Sequence, residues 1–151
     1  MIEKINKVYF EFERWKGPKI KDDYNGKAVL DYNDEPLFAE LVVLRKFQES
    51  GYDGVWVDNY RNTFKKELPE KNFKYELPDR IAGIFNELVK ANGGRSGCWD
   101  LLCWNDKEIK FIELKRKNHD AIRESQIRWL ENALQHGINQ DSFLIVEWDI
   151  K

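Results

Sequence analysis

Two cysteines, Cys98 and Cys103, and two histidines, His119 and His136, are all that the 151 residues contain of the softer metal ligands. Structural zinc takes about four such ligands, so the composition argues against a zinc centre and leaves oxygen as the main donor to any bound metal. The two cysteines fall on one predicted strand at opposite parity, which points them to opposite faces and argues against a mutual disulfide. No apolar run approaches the ~18 residues of a membrane span. The opening Met1–Lys7 carries mixed charge and lacks the apolar core of a signal peptide. The expectation is a cytoplasmic protein with no membrane partner. There is no repeat and no low-complexity segment, and the net charge of −2 gives no overall basic signature.

Aromatic residues are plentiful, at 14%, with 42% hydrophobic residues in total. That supplies apolar surface for one core, and the length suits one domain over residues 1–151. Charge is unevenly placed. Residues 107–128 hold seven Lys/Arg against four Asp/Glu, and residues 60–75 hold five against two. Two basic stretches on an acidic chain suit a phosphate-facing side, although lysine and arginine scatter on any surface. The candidates for such contacts are Arg116, Lys117, Arg123, Arg95, Lys65 and Lys66.

Val8–Glu13 alternates and reads as a strand. Residues 16–34 are rich in turn signals. A helix is expected from about Pro36 to Glu49, with Asp34 as its cap and Gly51 at its end. Val55-Trp56-Val57 marks a short strand, and residues 60–77 read as a loop with some strand. Asp79–Ala91 has apolar residues at helical spacing and stops at Asn92-Gly93-Gly94. A second such helix is expected over 120–136. Ser142–Trp148 is a final strand. Helices alternating with strands in this mixed order imply an α/β sandwich around a mixed sheet.

The most informative segment lies between. Cys98–Trp104 and Ile109–Lys115 read as two strands joined by the turn Asn105–Glu108. With the turn centred on Asp106 and Lys107, Trp104 faces Ile109 and Asp100 faces Glu113. Opposed residues in such a pair lie about 4.5–5.5 Å apart, and two carboxylates that close repel unless something positive lies between them. Lys115 shares the face of Glu113, because strand period is two. Leu102, Trp104, Ile109 and Phe111 share that face too, so an ionic end adjoins an apolar one. A divalent cation and a lysine would both relieve the acids. Mg2+ takes carboxylates and backbone carbonyls, and the carbonyl of Leu114 is placed to join them. Gln126 falls on the apolar stripe of the last helix, where a buried amide needs partners. Glu40 lies at the edge of the first helix's stripe, as a third acid facing the site or as a solvated one. His119 and His136 have no acid or nucleophile pattern around them and are expected at the surface.

These residues resemble the PD-(D/E)-x-K nuclease superfamily, and within it the virus-type replication-repair nuclease (VRR-NUC) family. The resemblance lies in Gly97-Cys98-Trp99-Asp100, in Phe111-Ile112-Glu113-Leu114-Lys115, in Ser125-Gln126-Ile127-Arg128-Trp129-Leu130, and in the strand Phe143–Val146. It implies a restriction-endonuclease-like core of order α-β-β-β-α-β over 36–148, with the Asp79–Ala91 helix inserted and residues 1–35 as an extension without a counterpart. It further implies a Mg2+- or Mn2+-dependent DNA phosphodiesterase. Asp100, Glu113, Glu40 and the Leu114 carbonyl would be the metal ligands, Lys115 would position the attacking water, and Gln126 would support the site. Branched, flap or junction DNA, a homodimer, and a phage or bacterial context belong to the same resemblance. Trp99 departs from the pattern, which has Pro or a small residue there. The alternative is a non-catalytic nucleic-acid- or protein-binding module that keeps the fold.

Overall fold

The computed structural model describes residues 1–71 and 73–151. The described residues form eight strands and three α-helices: β1 (Asn6–Arg14), β2 (Leu30–Tyr32), β3 (Glu35–Leu37), α1 (Ala39–Glu49), β4 (Asp53–Asp58), β5 (Thr63–Lys65), α2 (Asp79–Asn92), β6 (Leu101–Trp104), β7 (Ile109–Arg116), α3 (Glu124–Gln135) and β8 (Phe143–Ile150). They build one mixed sheet in the order β3-β2-β1-β8-β7-β6-β4-β5. β1, β8 and β7 run parallel to one another, and the remaining pairs are antiparallel. The expected core order is present as α1, β4, β6, β7, α3 and β8, with β5 and α2 inserted. This is consistent with a restriction-endonuclease-like core.

Strand parity sorts the apolar side chains into two layers. Val55, Val57, Leu102, Ile109, Phe111 and Phe143 meet α2 and α3 through Ile81, Phe85, Trp129 and Leu130. Trp56, Leu101, Cys103, Ile112, Leu114 and Val146 meet α1 through Leu41, Val42 and Leu44 on the other side. Cys98 belongs to the first layer and Cys103 to the second, and both are free thiols. Gly54 permits the close seating of α1, because a Cβ there would lie 2.7 Å from Cys103 Sγ and 2.9 Å from a Leu44 methyl.

Several boundaries differ from the sequence expectation. The first helix starts at Ala39, not Pro36, and Phe38 precedes it in extended conformation. Asp34 does not cap it. Asn33 and Asp34 both take left-handed dihedrals, φ 52° and 66°, at the turn of the β2–β3 hairpin. Two consecutive positive-φ residues are what a two-residue hairpin turn requires, and Asn and Asp tolerate them. Pro36 lies on β3, the sheet edge, where the missing N–H costs least. β6 begins at Leu101, three residues later than expected, and α3 begins at Glu124 rather than near 120. Residues 1–35 are woven into the sheet, since β1 pairs with β8 along seven register positions. No helix among the described residues is long and apolar enough to cross a membrane.

Candidate active site

The hairpin register is as expected: Trp104 pairs with Ile109, and Leu101 with Ile112. Asp100 is the next residue outward, opposite Glu113. There β6 has not yet begun, while β7 runs on to Arg116 and β4 on to Asp58. Asp100 stays joined to β4 because its carbonyl accepts from Val57 N–H at 2.8 Å. A cleft of about 610 Å³ opens at this point, and Glu40, Asp100, Glu113, Lys115 and Gln126 all line it.

The acids are locked through the backbone. Asp100 N–H donates to Glu113 Oε1 at 3.1 Å, and Leu114 N–H donates to Asp100 Oδ2 at 2.9 Å. Glu113 Oε2 accepts from Gln126 Nε2 at 2.6 Å and lies 3.1 Å from Lys115 Nζ. Both Glu113 and Gln126 are buried. Gln126 is itself fixed, since its Oε1 accepts from Arg123 N–H at 3.0 Å. With the amide oxygen engaged at the start of α3, the amide nitrogen is left to face Glu113.

Gly97 and Trp99 bring this helix to the site. Gly97 has φ +81°, and a Cβ on it would lie 2.0 Å from the Ser125 carbonyl oxygen. Only glycine lets the chain pass the first turn of α3 that closely. Trp99, the departure from the family pattern, is fully buried, donates from Nε1 to the Gln126 carbonyl at 3.0 Å, and meets Phe143 edge-on at 5.0 Å. The large side chain thus ties the strand entrance to α3.

Burial pushes the Asp100 carboxyl well above the usual range, and Glu113 and Glu40 push it further, while the Leu114 N–H and Lys27 pull back. Glu113 is raised as well, by burial, against the opposing pull of Lys115, the Asp100 N–H and Gln126. Two adjoining acids both raised by burial, one of them further by the other, form a site in want of positive charge. The Cys98 thiol also lines the cleft, but burial and the two acids hold it far up its range, so it stays protonated and is a poor nucleophile.

Glu40 reaches the cleft from α1, where Lys27 Nζ sits 2.6 Å from its Oε2. Lys27 is the residue that sequence reasoning missed; it arrives through an irregular loop with no periodic signal. The basic candidates separate. Arg123 is exposed at the cleft rim. Arg116 is paired with Asp149 at 3.2 Å and lies over Trp148, while Lys117 lies over Tyr9. Arg95 sits over Phe64 and Phe85 and donates to Asn62. Lys66 pairs with Asp53, at the far end of β4 from the cleft. Lys65, expected on a phosphate-facing surface, is only 6% exposed, and its ammonium is 2.9 Å from the buried Asp58. A lysine so enclosed is held by the core and does not present its charge to a partner.

Among the described residues no three His, Cys, Asp or Glu side chains stand close enough to hold an ion together. The donor set nevertheless fits a hard cation: Asp100, Glu113 and the Leu114 carbonyl offer oxygen only, and Mg2+ completes such sets with waters. The model of the VRR-NUC domain family matches residues 39–142, about two thirds of the chain. No curated protein matches it.

Proposed function

The chain belongs to the VRR-NUC family, and on that premise we propose that it is a nuclease that hydrolyses DNA phosphodiester bonds with a divalent ion, Mg2+ or Mn2+, at Asp100 and Glu113. The observation that carries this is the reciprocal lock of the two acids with Lys115 and Gln126 directly upon them. Buried charges cost several kcal/mol unless compensated, and such expense marks a working site more often than a scaffold. A non-catalytic module would have no use for it.

Asp100, Glu113 and the Leu114 carbonyl would hold the ion, with Glu40 beside them. When bound, the ion lowers the pKa of a coordinated water and polarises a phosphoryl oxygen. The protein's own groups do the rest. Lys115, with its ammonium against Glu113, orients the attacking water and offsets charge that develops on the phosphate oxygens. Gln126 holds Glu113 in one rotamer. Arg123 at the rim receives a neighbouring phosphate of the strand, with Arg116 and Lys117 farther along the end of β7. A preference for branched, flap or junction DNA, and assembly as a homodimer, are carried by the resemblance alone.

The test is a panel of labelled single-stranded, duplex, flap and four-way-junction DNA incubated with the protein in Mg2+, Mn2+ or EDTA. Cleavage in either metal and none in EDTA is expected. Cleavage that persists in EDTA, or none on any substrate, contradicts the proposal.

A further inference from the structure

The acid cluster already contains a cation that the family match does not cover. Lys27 precedes the matched residues 39–142 and lies on the loop between β1 and β2. Its Nζ is 2.6 Å from Glu40 Oε2 and rests 5.7 Å from the centre of the Phe38 ring and 5.9 Å from that of Trp56. It lines the same cleft as Asp100 and Glu113. Its ammonium is thus ion-paired with the buried Glu40 carboxylate inside the cleft.

The loop that carries Lys27 is fastened at several points to the wall of the cleft. Tyr24 O–H donates to Asp58 at the end of β4. Asp22 pairs with Arg61 at 2.8 Å, and the Arg61 guanidinium lies 4.0 Å from the centre of the Tyr24 ring. Lys27 N–H closes a turn onto the Asp23 carbonyl at 2.8 Å, across residues 24–26 with positive φ. A lysine delivered by a loop this firmly held is a fixed charge rather than a roaming one.

The charges fit one ion and not two. Around the cleft floor stand three carboxylates, Glu40, Asp100 and Glu113, and two ammoniums, Lys27 and Lys115. Of the other charges around the wall, Asp58 is paired with Lys65 and Arg61 with Asp22, while Asp120 and Arg123, one of each sign, lie exposed at the rim. With all three carboxyls ionised, as cation binding requires, the floor carries one net negative charge. One divalent ion turns it to one positive, which a phosphodiester neutralises. A second divalent ion would leave an excess of positive charge in the cleft and would have to displace Lys27 from Glu40.

We propose that Lys27 is a built-in cation that takes the place of a second divalent ion beside Glu40, so that the site holds a single divalent ion at Asp100, Glu113 and the Leu114 carbonyl. This rests on the metal-dependent reading of the site. It gives residues 1–35 a part in the chemistry: the segment before the matched domain supplies one of its charges.

The test is the stoichiometry of Mn2+ binding to the full chain without DNA, followed by calorimetry and by the loss of the free-ion paramagnetic resonance signal. One ion is expected for the wild type and for Lys27→Arg. Two are expected for Lys27→Gln, and one again for Lys27→Gln combined with Glu40→Gln. Two ions in the wild type, or one in Lys27→Gln, would overturn the proposal while leaving the nuclease reading standing. No Mn2+ on any variant would overturn both. If Lys27→Gln does not fold, Lys27→Met keeps the alkyl contact with Phe38 and Trp56, lacks the charge, and carries the same expectation of two.

Discussion

Gln126 Nε2 lies 2.6 Å from Glu113 Oε2, so the first turn of α3 donates a hydrogen bond to the acid at the centre of the cleft. Both groups are buried, and neither has a solvent substitute for the other. Gln126→Leu keeps a helix-compatible apolar shape but leaves a carboxylate oxygen short of a donor. The expected cost is about 1–3 kcal/mol of unfolding free energy, read by urea denaturation. Gln126→Glu should cost more, because it sets a like charge at the same spot.

The metal-free protein should lose stability as pH rises. Asp100 and Glu113 both have folded pKa values above their unfolded ones, chiefly through burial. The folded state therefore binds more protons than the unfolded state above the ordinary carboxylate range. Stability is then highest at low pH and falls as pH climbs through the raised folded values. Asp100→Asn removes one of the two coupled charges, so in EDTA it should raise the melting temperature near neutral pH and flatten this decline. Thermal unfolding across pH, with and without the substitution, reads both effects.

Lys65→Met should unfold the protein more readily than any other single loss of a basic side chain named above. It strips the partner from Asp58, which is only 2% exposed. Breaking a buried pair on one side costs about 3–5 kcal/mol. Arg123→Ala should behave in the opposite manner, with little effect on stability and weaker DNA binding. Its loss should reduce the salt dependence of binding by about one phosphate contact. Denaturation and binding titrations at several salt concentrations distinguish the two.

Gly97→Ala should damage fold and site together. Its Cβ would meet the Ser125 carbonyl oxygen at 2.0 Å, in a backbone conformation that L residues avoid. The loop must retreat from α3, which pulls the Trp99 Nε1 bond to the Gln126 carbonyl and displaces Asp100. Strain of this kind costs on the order of 1–3 kcal/mol before any lost contact is counted. Denaturation together with cleavage assays should show both effects, whereas a purely structural glycine would leave the cleavage rate of the folded fraction intact.

The hairpin was legible because a strand pair has few free variables: period two and a four-residue turn fix which residues face each other, and Asp100 followed from Glu113. Gln126 was legible for a related reason, as the one polar residue on an apolar stripe. Asp34 and Pro36 misled because the same residues that cap helices also make tight hairpin turns, and only the pairing of Leu30–Tyr32 with Glu35–Leu37 decides between them. Lys65 looked like surface charge because its partner, Asp58, is met only when β4 and β5 pair. Lys27 was invisible for want of any period: a loop brings it to Glu40, and loops carry no repeating signal of where they land.

Cleavage and binding by Lys115→Ala test the central claim most directly. Lys115 is largely enclosed and pairs with the buried Glu113, so its loss should cost stability, though less than the loss of Lys65, and leave a folded protein that still binds DNA. A labelled DNA substrate cut by the wild type in Mg2+ should bind Lys115→Ala and remain intact, with a rate lower by about 10²–10³, the loss typical of one removed donor. Equal cleavage by the two proteins would contradict the assignment of Lys115, Glu113 and Asp100 as the centre that cuts DNA.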